Sequence, residues 1–142
     1  MNHSKAFTII ELIIVILIIA VLSGIVLVNV SGYIKKGKDS SIYGGLSTLI
    51  PAGEVFYTGS SNSFVGFCAS SVVVNAISQM PSNPNANCSN KTVCCNDATA
   101  GVWAACVKEF VSPTLAYCVD SRGVEINTLP IASCINTLTK CN

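Results

Sequence analysis

The chain has 142 residues, of which 51% are hydrophobic and 11% charged, with a formal net charge of +1. Soluble domains carry about 25% charged residues, so part of this chain is not composed for water. A near-neutral chain without a basic stripe also lacks the electrostatic footprint that nucleic-acid binding needs.

Residues 7–30 read FTIIELIIVILIIAVLSGIVLVNV, apolar almost throughout apart from Glu11. About 20 such residues cross a hydrocarbon core as a helix. Apolar side chains all round suit lipid or the centre of a helical bundle. Glu11 is the informative exception. A carboxylate inside a span costs roughly 2.5–3.5 kcal/mol on insertion scales, and a plain anchor gains nothing from it. It lies four residues after Phe7, one helical turn along. A cut before Phe7 would create an ammonium group near that depth, and a neighbouring copy's Glu11 could pair with it. In low dielectric such a pair is far better than two isolated charges.

The run Ala6-Phe7-Thr8-Ile9-Ile10-Glu11-Leu12, followed by an aliphatic helix, resembles the class III signal of type IV pilins and pseudopilins. The resemblance implies a leader over residues 1–6, cleavage between Ala6 and Phe7 by a prepilin peptidase, and N-methylation of Phe7. It implies that Glu11 assists assembly into a helical filament. It also implies partners: other pilin subunits, as a homopolymer or with minor pilins, the membrane, and an inner-membrane assembly platform. The precursor would sit in the cytoplasmic membrane, and the filament outside it, in adhesion or protein secretion. Ala6 stands where the family usually has glycine, and Val28 stands near its usual proline.

Removing residues 1–6 takes away His3 and Lys5, leaving seven basic and seven acidic side chains and no histidine. That argues against Ser-His or Cys-His catalysis, and the chain reads as a structural protein rather than an enzyme. Lys35, Lys36 and Lys38 follow the span, and the positive-inside tendency alone would leave the remainder in the cytoplasm. The cysteines and the pilin motif point the other way.

Residues 31–58 read as an amphipathic continuation of the helix. Ile42, Leu46, Leu49, Ile50 and Phe56 recur largely at three- and four-residue steps. Pro51 should bend it, Gly44 and Gly45 weaken it, and Gly59-Ser60-Ser61-Asn62 ends it. Residues 59–142 read as a head domain. A short helix is expected within 68–80, a loop at Pro81-Ser82-Asn83-Pro84-Asn85, and no clear period over 85–101. Strands are expected at 102–110, 114–119 and 123–127, with turns at Ser112-Pro113 and Asp120-Ser121-Arg122. The fold class is therefore α+β, a long N-terminal helix packed on a small antiparallel sheet in a disulfide-rich head. The stretch from Tyr117 to Gly123 resembles a hairpin met in some pilin-like proteins.

Cys68, Cys88, Cys94, Cys95, Cys106, Cys118, Cys134 and Cys141 all lie in this half. An even count behind a membrane segment suggests disulfides in an oxidising compartment. Cys134 with Cys141 could close a C-terminal loop. Cys106 could meet Cys118 across a turn, and Cys68 with Cys118 is the alternative. No CxxC pair is present to suggest zinc or redox chemistry. Asp97, Glu109, Asp120 and Glu125 are too scattered for a calcium loop, and no residue set implies a cofactor. Trp103 and Tyr117 read as core aromatics. Asn29, Asn87 and Asn90 begin short glycosylation-like triplets. The rival reading is a secreted binding domain cut near Ser23-Gly24.

Overall fold

A computed structural model describes residues 7–142, so Ala6 and the expected leader lie outside the described residues. The described chain divides into two compact units, the first ending at Ile34 and the second spanning 35–142. In the first, helix α1 (Ile9–Ser47) begins. Described side chains from Phe7 to Leu27 are all exposed. Among the described residues, one helical stretch is long and apolar enough to cross a membrane.

The second unit holds the end of α1, α2 (Leu49–Gly59), α3 (Ser71–Ser78) and a four-stranded antiparallel sheet. Its strands run in sequence order: β1 (Val93–Thr99), β2 (Val102–Lys108), β3 (Leu115–Asp120) and β4 (Glu125–Pro130). The helix break falls at Thr48, three residues before Pro51. Proline cannot donate to the carbonyl four residues back, so the α1 ladder stops at Ser47. Thr48 keeps helical dihedrals, φ −67° and ψ −19°, and its hydroxyl donates to the Gly45 carbonyl at 2.7 Å. Gly59 ends α2 as expected, and Ser61 and Asn62 turn away with positive φ.

The helical stripe packs as its spacing predicts. Ile42, Leu46 and Leu49 are fully buried, in one core with Phe67, Val73, Trp103, Ala105, Val107, Tyr117 and Val119. Alternation along β2 and β3 puts those sheet residues on the helix-facing side. Gly53 is buried against Trp103, and a Cβ there would lie 2.6 Å from the indole Nε1.

The other face of the sheet is covered too. Cys94, Cys106, Ala116 and Cys118 form a second core with Leu129, Cys134, Cys141 and Leu138. Antiparallel sheets commonly leave one face to water; here the C-terminal segment 131–142 supplies the cover. Register puts Cys94 opposite Cys106, and Cys106 opposite Cys118, as a row of three across the sheet.

All eight cysteines are paired: Cys68–Cys95, Cys88–Cys94, Cys106–Cys134 and Cys118–Cys141. Three expected pairings are therefore corrected. Cys106 does face Cys118, but each bonds across to the covering segment. Cys134 and Cys141 do not close a loop on themselves, because they fasten that segment to β2 and β3 in turn. Cys68 pairs with Cys95 rather than Cys118, since Cys95 alternates onto the helix-facing side while Cys94 takes the other. Separations of 23–28 residues correspond to about 3–4 kcal/mol of loop-closure stabilisation each, against about 2 kcal/mol for the six-residue Cys88–Cys94 loop.

The remaining expectations shift at their ends. The helix expected within 68–80 is a 3₁₀ turn at Phe67–Ala69 followed by α3, whose cap Ser70 accepts from the Val73 N–H at 3.5 Å. Strand β1 lies where no period was legible.

Candidate functional site

The site begins with the local rule that starts α1. Thr8 precedes the helix, and its hydroxyl oxygen accepts from the Glu11 N–H at 3.3 Å. The Glu11 carboxylate reaches back, and its Oε2 accepts from the Thr8 N–H and from the Thr8 hydroxyl, both at 2.8 Å. This reciprocal pair is a capping box, Thr-x-x-Glu, which satisfies donors that the first helical turn leaves unpaired. The Leu12 N–H donates to the Thr8 carbonyl at 3.3 Å and opens the helical ladder.

Glu11 thus has a role inside its own chain. It is one turn from Phe7, a residue that is 77% exposed, and it stands on a surface of exposed Ile9, Ile10, Leu12 and Ile13. A negative group at a helix N-terminus also meets the favourable end of the helix dipole. The carboxylate is held at the same end of the helix as the residue whose amine a cut would free. Thr8 was not singled out by sequence reasoning, although the Thr8-Ile9-Ile10-Glu11 spacing carried the signal.

In the second unit the scattered acids each have separate work. The Asp97 Oδ2 accepts from the Cys68 N–H at 2.8 Å. Glu109 is buried and accepts from the Tyr43 hydroxyl at 2.6 Å. Glu125 accepts from the Tyr117 hydroxyl at 2.8 Å. The rings of Tyr43 and Tyr117 lie with centroids 4.3 Å apart. Burial, then the bond to Glu109 and its charge, push the Tyr43 phenol well above the ordinary tyrosine range. Burial also raises Tyr117; the bond with Ser47 works against that and the bond to Glu125 adds to it. Asp39, a buried acid on α1, accepts from the N–H groups of Phe110 at 2.7 Å and Val111 at 3.0 Å. It ties the β2–β3 connection to the helix.

Asp120 organises the end of the chain. Its side chain is fully buried and ion-paired to Arg122, and it accepts from the Cys141 N–H at 2.9 Å. Arg122 donates to the Cys141 carbonyl at 2.8 Å. Burial pushes the Asp120 carboxyl up, but the bonds from Arg122 and from the Cys141 N–H outweigh it, so the group titrates below its ordinary value. Among the described residues, one set of metal-ligating side chains lies close together, Cys88, Cys94 and Cys134. All three sulfurs are in disulfides.

Residues 1–27 match the family model of the prokaryotic N-terminal methylation motif. With the apolar N-terminal helix, that match fits a type IV pilin-like protein. No curated protein and no solved structure matches the chain.

Proposed function

From that pilin-like beginning, we propose that the chain is the precursor of a filament subunit, of a type IV pilus or a pseudopilus. It inserts in the cytoplasmic membrane through residues 7–30. A prepilin peptidase removes residues 1–6 between Ala6 and Phe7, and the new Phe7 amine is methylated. An assembly platform in that membrane then moves the subunit into a helical polymer with copies of itself or related pilins. Residues 31–58 and the head, 59–142, remain outside the cytoplasm and face outward.

The observation that carries this reading is Glu11, one turn from Phe7 on an exposed apolar helix. Its capping bonds make the acid tolerable within a waiting monomer. The same carboxylate is then available to an incoming Phe7 ammonium, which offers a full opposite charge where Thr8 offers only dipoles. Lipid contacts along the helix are exchanged for contacts with other helices.

Two measurements test it. Intact mass and N-terminal sequencing of the purified protein should show a start at methylated Phe7. A start near Gly24 would instead assign the chain to a secreted domain behind an ordinary signal peptide. Glu11→Ala should leave the membrane-bound monomer and its head intact yet yield no filaments. Filaments of normal number and length from that variant would sink the role given to Glu11.

A further inference from the structure

The tail-facing side of the sheet brings four sulfurs together. Cys88 is bridged to Cys94, and Cys106 to Cys134. The two bridges touch, with the Cys94 Sγ 3.4 Å from the Cys134 Sγ. The sulfurs of Cys88, Cys94 and Cys134 all lie within 4.8 Å of one another. All four side chains are buried, so chemistry among them is shielded from outside thiols. Asn85, itself buried, directs its Nδ2 at the Cys88 Sγ at 3.6 Å and the Cys94 Sγ at 3.5 Å. It also donates to the Cys134 carbonyl at 3.1 Å. Cys94 and Cys106 are register partners on β1 and β2, and Cys134 is within reach of both.

We infer that Cys94 and Cys106 compete for Cys134 by intramolecular thiol–disulfide exchange, and that the exchange corrects the tether of the C-terminal segment while the head oxidises. Before the Cys88–Cys94 bridge closes, Cys94 is a thiol beside Cys134. As a thiolate it attacks the Cys134 sulfur. The Cys94–Cys134 bond forms, the Cys134–Cys106 bond breaks, and Cys106 leaves as a thiolate that takes up the proton Cys94 gave up. Nothing is oxidised or reduced overall, and the step runs in either direction. In reverse, the Cys106 thiolate attacks the Cys134 sulfur, Cys94 leaves as the thiolate, and a segment first fastened to β1 is moved to β2. Closure of Cys88–Cys94 then removes the attacking sulfur and locks the arrangement. Cys95, one residue away, takes no part, because it packs into the helix-facing core.

The test uses the full chain with Cys88→Ser, in which one sulfur must stay unpaired. The oxidised protein is equilibrated near about pH 8, where thiolates are populated, then acid-quenched, alkylated and mapped by mass spectrometry. The expected result is label at Cys106 as well as Cys94, together with a Cys94–Cys134 linked peptide. The label should reach Cys106 about tenfold more slowly for each pH unit below the thiol's pKa. Label confined to Cys94, or spread to Cys68, Cys95, Cys118 or Cys141, overturns the inference. Should that variant fail to fold, the native chain refolded from its reduced state decides the matter. Its trapped intermediates must include a Cys94–Cys134 bridge that converts to Cys106–Cys134, and their absence overturns the inference equally.

Discussion

From Ile9 to Leu27 every side chain is exposed, yet nearly all are aliphatic; from Trp103 to Val107 every side chain is buried, yet two are alanine and one is cysteine. The first stretch is the more apolar in composition, yet none of its residues is buried within its own chain. At about 25 cal/mol per Å², the stabilisation latent in the N-terminal helix is large, and it is realised only against lipid or other helices. The head reverses this. Small residues lie where two layers close on the sheet, and covalent bridges supplement a core of modest size. Burial within the chain therefore locates stability in residues 35–142, while exposure without polarity leaves residues 7–27 to be covered from outside the chain.

That contrast can be broken by measurement. The largest effect should come from Trp103→Ala, which empties the site between α2 and β2. A loss of about 3–5 kcal/mol is expected, read as a lower denaturation midpoint of the head. Next is the double change of Cys118 and Cys141 to alanine. Opening that bridge should cost about 2–5 kcal/mol, and hydrogen exchange should rise over residues 131–142 before it rises in β2. A smaller effect follows from Asp120, whose folded carboxyl titrates below its unfolded value. Its contribution is fully present above about pH 4, the unfolded carboxyl's range, and is lost as pH falls through the lower folded value. Thermal melts in acid should show this loss, and Asp120→Asn should flatten the dependence. The smallest effect is the sharpest. Deleting residues 1–34 should change head stability by less than about 0.5 kcal/mol, as judged by chemical denaturation. A drop of several kcal/mol would show that the two units share a core.

Much of the candidate site was legible in advance because its signals are local. An acid inside an aliphatic run, four residues after an aromatic, needs no tertiary information to stand out. The stripe of Ile42, Leu46 and Leu49 was equally readable, since its period is that of one helix face. The hairpin at Asp120-Ser121-Arg122-Gly123 was marked by its turn residues, and Gly123 does take a positive φ of 75°.

What escaped reading was set by distant parts of the chain. Strand β1 reads Val-Cys-Cys-Asn-Asp-Ala-Thr, which shows no alternation because its two faces meet different covers and its acid bonds the Cys68 N–H. Disulfide partners could not be chosen locally, since eight cysteines allow 105 pairings and the decisive fact is the path of residues 131–142 over the sheet. Asp39 carries no local signal of its burial, since the two backbone donors that hold it in the interior come from the β2–β3 connection. Thr8 is a different case: its capping signal, the Thr-x-x-Glu spacing, is local and stands in the sequence.

Residue 141 is bound by its sulfur, its N–H and its carbonyl, to Cys118, Asp120 and Arg122 in turn. The head consequently cannot finish folding until residue 141 has left the ribosome. Synthesis delivers the greasy helix more than a hundred residues ahead of that fastener. The apolar helix must therefore find its surroundings before the head can close.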